Sequence, residues 1–309
     1  MNENTKVDLS VNLGSLQFKN PVIAASGTFG YGLEFSQFVD LNELGGFCTK
    51  GLSMKPRIGN PVPRMIETSA GMLNSIGLEN IGLDSFLNEK LPDLEKYQSR
   101  LIVNFFGDTP TEHIEMASTL SDVKRVDALE MNVSCPNVKK GGIQLSSDPG
   151  ILRRVVEAVR KVTSKFLIIK LSPNVTDITT LASAAEEGGA DALSLINTYI
   201  GMKIDIESGK PWLANVMGGL SGPAIKPIAL AMVYETARIV KIPVIGIGGI
   251  ASVEDVLEFL IAGASAIQIG TANYIDPSVT IKVINGLREY CQKNSLKSLA
   301  DLSPSEWDK

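Results

Sequence analysis

Four polar side chains crowd the end of one apolar run in Ala128-Leu-Glu-Met-Asn-Val-Ser-Cys-Pro-Asn137: Asn132, Ser134, Cys135 and Asn137. Pro136 has no N–H for a sheet ladder and stops the strand there. Amides and a thiol at such a place make a poor core and a good site. A thiol titrates near neutrality, at about pKa 8.5 when unperturbed, so Cys135 could take a proton or act as a nucleophile. Free cysteine is also among the most buried and inert residue types, and on the residue alone both readings stand.

Similar groups recur at other strand ends. Lys170 follows Phe-Leu-Ile-Ile, and Lys50 closes Gly46-Phe-Cys-Thr. A lysine inside an apolar run either needs an anionic partner or marks the solvent end of the strand. Gly248-Gly249 and Gly270-Thr271 close two further runs, where small residues let backbone N–H groups approach a phosphate. Gly246-Ile-Gly248-Gly-Ile-Ala251 also fits the dinucleotide pattern G-x-G-x-x-A. It comes late in the chain, and the next strand ends near Gln268 instead of the ribose-binding carboxylate that pattern requires. His113, the only histidine, is expected in a surface helix far from any strand end, which argues against a Ser-His-Asp triad, a Cys-His pair or a histidine metal site. Carboxylates are missing from the strand ends, which disfavours glycosidase or magnesium chemistry.

The elements that must position these groups are short β-rich runs. They are Pro21–Ser26, Gly46–Lys50, Leu101–Phe106, Ala128–Val133, Phe166–Leu171, Ala192–Asn197, Pro243–Gly248 and Ala266–Gly270. Most are continuously apolar, as suits strands covered on both faces. Helical patterns are expected over Asp148–Thr163, Asp177–Glu187, Pro223–Val240 and Ser252–Ala262, the last with a capping box of Ser252 and Asp255 and a stop at Gly263. Eight strands alternating with helices predict an α/β fold, a single-domain (β/α)8 TIM barrel over 1–309, rather than an open doubly wound sheet. In such a barrel the chemistry lies at the C-terminal strand ends, which here present Ser26, Lys50, Asn104, Asn132, Lys170, Asn197 with Thr198, and the glycines. Two long stretches, Leu52 to Arg100 and Tyr199 to Gly222, are expected to cover the mouth as insertions.

Composition narrows the function classes. The 309 residues are 44% hydrophobic and 20% charged, with net charge −5 and no basic block, so neither nucleic acid nor a basic membrane-surface patch is indicated. Cys48, Cys135 and Cys291 are widely spaced and form no C-x-x-C, so no disulfide framework, zinc or iron–sulfur site is expected, and no metal. The first residues are polar rather than signal-like and no apolar run approaches a membrane span; the expected setting is a reducing compartment, the cytoplasm.

The chain resembles the dihydroorotate dehydrogenases, flavin-dependent barrels of pyrimidine biosynthesis, over essentially its whole length. The specific blocks are Asn74-Ser-Ile-Gly-Leu-Glu-Asn80, Asn132-Val-Ser-Cys-Pro-Asn137 and Gly218-Gly-Leu-Ser-Gly-Pro-Ala224. Cysteine at 135 is similar to class 1, since the membrane-associated class has serine there. Gly27-Thr-Phe-Gly-Tyr-Gly-Leu-Glu34 and Gly218–Gly222 resemble class 1B.

The resemblance implies one FMN per chain, contacted by Ser26, Lys50, Gly51, Asn104, Asn132, Lys170 and Ile196. Its phosphate would meet Gly222, Gly248, Gly249, Gly270 and Thr271. Dihydroorotate would meet Lys50, Asn74, Ser75, Ile76, Gly77, Leu78, Asn132, Asn197 and Thr198, with Cys135 as base and Pro136–Gly142 as a lid. It further implies a partner subunit carrying FAD and a 2Fe–2S cluster, electrons passed to NAD, and a homodimer core within a heterotetramer. Three other readings stay open: a class 1A homodimer using fumarate, a Schiff-base lyase or aldolase working through Lys170 or Lys50, and a barrel that binds a partner without catalysis.

Overall fold

A closed parallel barrel of eight strands is the frame of the computed structural model, which describes residues 7–134, 145 and 147–302. In chain order the strands are β1 (Val22–Ala24), β2 (Gly46–Cys48), β3 (Arg100–Phe105), β4 (Ala128–Asn132), β5 (Phe166–Lys170), β6 (Ala192–Leu195), β7 (Val244–Ile247) and β8 (Ala266–Ile269). Each pairs with the next, and β8 closes on β1. Seven lie within the runs expected from the sequence, and β3 starts one residue before its run. The reason is burial: nearly every strand residue is covered by the barrel interior on one face and by helices on the other, so no polar alternation is needed.

Helices α1 (Pro110–Ser121), α2 (Pro149–Arg160), α3 (Ile178–Glu187), α4 (Lys226–Ile239), α5 (Val253–Ile261) and α6 (Val279–Lys293) pack outside the strands. Their starts follow from side-chain caps. Asp148 accepts from the Ile151 N–H at 2.8 Å, Asp177 from the Thr179 N–H at 2.8 Å, and the Ser252–Asp255 box is formed in both directions.

The barrel interior is layered. Ile23, Cys48, Ile102, Ala128, Ile168, Ala192, Ile245 and Ala266 form an apolar floor around Leu13 and Phe18, which come from the hairpin Val11–Leu13 and Leu16–Phe18. That hairpin closes the N-terminal end of the barrel. At the other end the two insertions meet in one four-stranded antiparallel sheet, in the order Tyr199–Met202, Met217–Ser221, Gly71–Asn74, Met65–Thr68. The mouth is thus covered as expected, by strands that the sequence did not announce. Among the described residues no helix is long and apolar enough to cross a membrane.

Candidate active site

Above the apolar floor the interior turns polar. Glu130, fully buried in β4, accepts from Asn104 Nδ2 of β3 at 2.6 Å, from Ser194 Oγ of β6 at 2.9 Å and from Gln268 Nε2 of β8 at 2.6 Å. The Lys170 ammonium of β5 stands 3.6 Å from the same carboxylate and is itself buried. Lys170 therefore has the anionic partner its position demands, and the reading in which it marks the solvent end of the strand is set aside. Glu130 itself escaped sequence reasoning, being one acid inside a run that reads as apolar. The signal was an acid two residues before Asn132, with Asn104 in register beside it.

One step further out the residues become half-buried and walled. Asn197 Nδ2 donates to Asn132 Oδ1 at 3.3 Å, joining the ends of β4 and β6, and the Ser134 N–H donates to the same oxygen at 3.0 Å. Asn197 Oδ1 accepts from the Thr198 N–H at 2.7 Å, so the amide orients the residue that follows it. Asn174, not anticipated as a site residue, ties down the Thr198 carbonyl at 2.9 Å and the Ile200 N–H at 2.9 Å. Cys135 and the Pro136–Gly142 loop lie outside the described residues.

The insertion sheet supplies the facing wall. Asn74 Nδ2 donates to the Gly219 carbonyl at 3.4 Å, and Gly219 backs directly onto Thr198. The next residues turn sharply, with positive φ at Gly77 and at Leu78 (61°), an unusual value for a leucine. Asn60 holds the turn by donating through Nδ2 to Ser75 O at 2.9 Å and through its N–H to Ile76 O at 2.9 Å. Lys50 is half-buried, and burial pushes its pKa down, against the pull of Glu79; Arg64, ion-paired to Glu79, adds to the depression. Thus Asn74, Asn132, Asn197 and Thr198 are joined by hydrogen bonds and by the Gly219 contact, and Lys50 lies within the influence of Glu79, next to the Asn74–Leu78 segment.

The glycine-rich ends form a second cluster. Gly222 and Gly249 carry positive φ, and a Cβ on Gly249 would stand 2.9 Å from the Gly222 carbonyl and 2.7 Å from Lys226 Cβ. A Cβ on Gly248 would reach within 3.5 Å of Ile196, which places that residue against the same turn. Thr271 Oγ1 donates to Ser221 Oγ at 2.8 Å, joining the end of β8 to the insertion sheet. Gly270 differs: a Cβ there meets nothing nearer than Ala25 Cβ at 3.7 Å. The helical turns beginning at Pro223 and at Ala272 carry no side-chain cap, and the Ala224 N–H is taken by the Ala70 carbonyl at 2.8 Å.

Ser26 and Gly51 complete the ring at β1 and β2. The Ser26 N–H bonds to the Cys48 thiol. A Cβ on Gly51 would come within 2.8 Å of Asn104 Oδ1, a buried oxygen with no hydrogen-bond partner among the described residues. Among the described residues Ser134 Oγ and Gln268 Oε1 are likewise buried without a partner. Unpaired buried polar atoms are costly unless a ligand or water satisfies them. A planar heterocycle with N–H and C=O edges and a phosphate tail suits this set, and FMN has both.

His113 departs from expectation. It lies in α1 as predicted, yet it is 1% exposed, and Nε2 accepts from the Gly107 N–H at 3.2 Å, just past the end of β3. Nδ1 bonds the Thr109 carbonyl at 2.9 Å, so the ring is a structural clamp on the β3–α1 turn. Among the described residues no cluster of metal-ligating side chains occurs.

Residues 8–291 match the family model described as dihydroorotate dehydrogenase. The chain belongs to the dihydroorotate dehydrogenase family. Its relatives include proteins named dihydroorotate dehydrogenase B (NAD(+)), catalytic subunit. The one from Trichlorobacter lovleyi is 56% identical over 96% of this chain and 98% of its own length. That from Pelobacter propionicus is 54% identical with the same coverage, and that from Thermodesulfovibrio yellowstonii is 54% identical over 95% and 97%. Among solved structures, the dihydroorotate dehydrogenase of Eimeria tenella in complex with ferulenol superposes with a TM-score of 0.80 at 23% identity, over 99% of this chain and 90% of that one. At that identity the likeness speaks for the fold.

Proposed function

We propose that this chain, acting as one FMN-binding barrel domain, oxidises (S)-dihydroorotate to orotate. Electrons then pass to NAD through a partner subunit carrying FAD and a 2Fe–2S cluster. The observation that carries the reading is the Asn132–Asn197 contact across the mouth, with the Asn74 wall beside it and the Asn104–Lys170 layer beneath. Amides at this density recognise a ligand rich in N–H and C=O groups, and a half-buried lysine recognises its carboxylate. Kinship to NAD-linked catalytic subunits supports the electron route.

In this reading Lys50 holds the substrate carboxylate, while Asn74, Asn132, Asn197 and Thr198, with the Ser75–Leu78 turn, fix the ring edges. Cys135, as thiolate, removes the proton next to the ring carbonyl. Bound FMN supplies the hydride acceptor at the neighbouring ring carbon. Ser26, Gly51, Asn104, Lys170 and Ile196 seat the flavin ring, and Gly222, Gly248, Gly249, Gly270 and Thr271 seat its phosphate. Pro136–Gly142 acts as a lid that excludes water. The assembly is a cytoplasmic homodimer core within a heterotetramer.

The test is to express the chain alone and follow orotate formation with an artificial dye, with fumarate and with NAD. Turnover with the dye, and with NAD only after a partner flavoprotein is added, is the expected result. Rapid NAD reduction by the isolated chain would overturn the two-subunit route, and brisk fumarate turnover would move the protein to the class 1A type.

A further inference from the structure

Glu130 is the hub of the polar layer, and stability does not account for it. A buried carboxylate and ammonium cost several kcal/mol to desolvate, and apolar residues of similar volume commonly fold as well or better. What the carboxylate does is choose which way its neighbours face. It can only accept hydrogen bonds, so Asn104 and Gln268 must both offer it their NH2 groups. Their carbonyl oxygens, Asn104 Oδ1 and Gln268 Oε1, are thereby left buried and without a partner among the described residues, the first of them beside Gly51. A neutral side chain at 130 would let either amide flip and present a donor where an acceptor now stands.

We infer that Glu130 is a positioning residue for the cofactor. It turns Asn104 to present an acceptor to an N–H of the flavin's pyrimidine edge, and by compensating the Lys170 ammonium it sets the midpoint potential of the bound flavin. This rests on the FMN reading above. Lys170 favours negative charge on the ring, and Glu130, 3.6 Å from its ammonium, moderates that pull. Because Ser194 and Gln268 hold the carboxylate from two further strands, the side chain cannot follow the lysine outward.

The test is spectroelectrochemical titration of FMN-loaded wild type, Glu130→Gln, Lys170→Met and the double variant. Glu130→Gln is expected to favour reduced flavin about tenfold, a positive shift of about 30 mV for a two-electron couple. Lys170→Met is expected to shift the potential the other way, with the double variant between the two single variants. A variant that is merely less stable, with the wild-type potential, would overturn the inference, as would a shift of Glu130→Gln toward negative potential. Should Glu130→Gln not fold, a crystal structure of the FMN-loaded wild type decides. Lys170 and Asn104 must each touch both Glu130 and the flavin, and a lysine swung away from Glu130 would refute the role. Wild-type protein that binds no flavin would instead refute the FMN reading itself, and the inference with it.

Discussion

A side-chain carbon placed on Gly219 would overlap the hydroxyl of Thr198. The insertion sheet and the end of β6 thus share one space, and only glycine leaves room for the threonine. Gly219→Ala should push Thr198 out of the mouth while leaving the flavin seat untouched. Loss of one or two hydrogen bonds at about 1 kcal/mol each predicts a KM for dihydroorotate raised roughly tenfold, with FMN content unchanged. Steady-state kinetics beside a flavin absorbance ratio checks both halves, and an unchanged KM would remove Thr198 from the substrate contacts.

With Cys135 in its proposed role as base, Cys135→Ser should retain FMN and slow flavin reduction by dihydroorotate about 10²–10⁴-fold at neutral pH. Stopped-flow bleaching of the flavin band measures the step directly. Reduction at near wild-type rate would show that another group takes the proton.

The glycines are not equivalent probes. Valine at 249 would collide with the Gly222 backbone at a positive φ, so its effect on the fold would mask any effect on a ligand. A Cβ at 270 meets no protein atom nearer than 3.7 Å, so Gly270→Val should fold, yet lose FMN on dilution. A folded variant that keeps its full flavin would move the phosphate elsewhere.

Burial lowers the Lys50 pKa, so the free protein surrenders this positive charge earlier on the alkaline side than an exposed lysine would. A bound carboxylate favours the charged form and raises the pKa again. Orotate affinity should therefore be level below the lowered pKa and fall by up to about tenfold per pH unit above it. Lys50→Met should weaken binding by roughly 10–100-fold at neutral pH, as loss of a charge-assisted hydrogen bond, and abolish the alkaline limb. Titrations monitored by the flavin spectrum between neutral and alkaline pH test this, and a variant that keeps the limb would exclude Lys50 as its source.

His113 gives the opposite limb, in stability. Burial holds its folded pKa below the unfolded value of about 6.5, so the unfolded chain binds the extra proton. The neutral ring's contribution is whole above about pH 6.5 and is lost as pH falls through the lowered folded value, with a slope of at most about 1.4 kcal/mol per pH unit. Urea unfolding on either side of this window should show a shallower acid loss for His113→Gln than for wild type. Parallel losses would assign the effect to other groups.

The barrel was legible because burial on both faces forces apolar runs, and each run could be bounded by its turn residues. The mouth was legible because amides, lysines and glycines stand out at the ends of such runs. Glu130 was not, because a single acid inside Leu129-Glu-Met131 breaks no pattern, and its partners come from four other strands. The insertion sheet was hidden for a related reason. Met65–Thr68 and Gly71–Asn74 are four residues each, and the pairing of the second with Met217–Ser221 spans more than 140 positions of sequence. Asn174 stayed silent because its work is to bond the backbone of a distant loop, which no local spacing records.

The insertion sheet has a consequence for how such chains can change length. Gly219 pairs with Asn74, Leu220 with Leu73 and Ser221 with Met72, and side chains on a strand alternate between its faces. A one-residue deletion in the first insertion that slips this register would turn Asn74 to the opposite face of the sheet. The two insertions can therefore be lengthened or trimmed only in step, or only in the turns outside the paired residues. Two segments far apart in the gene are in this way read as one word.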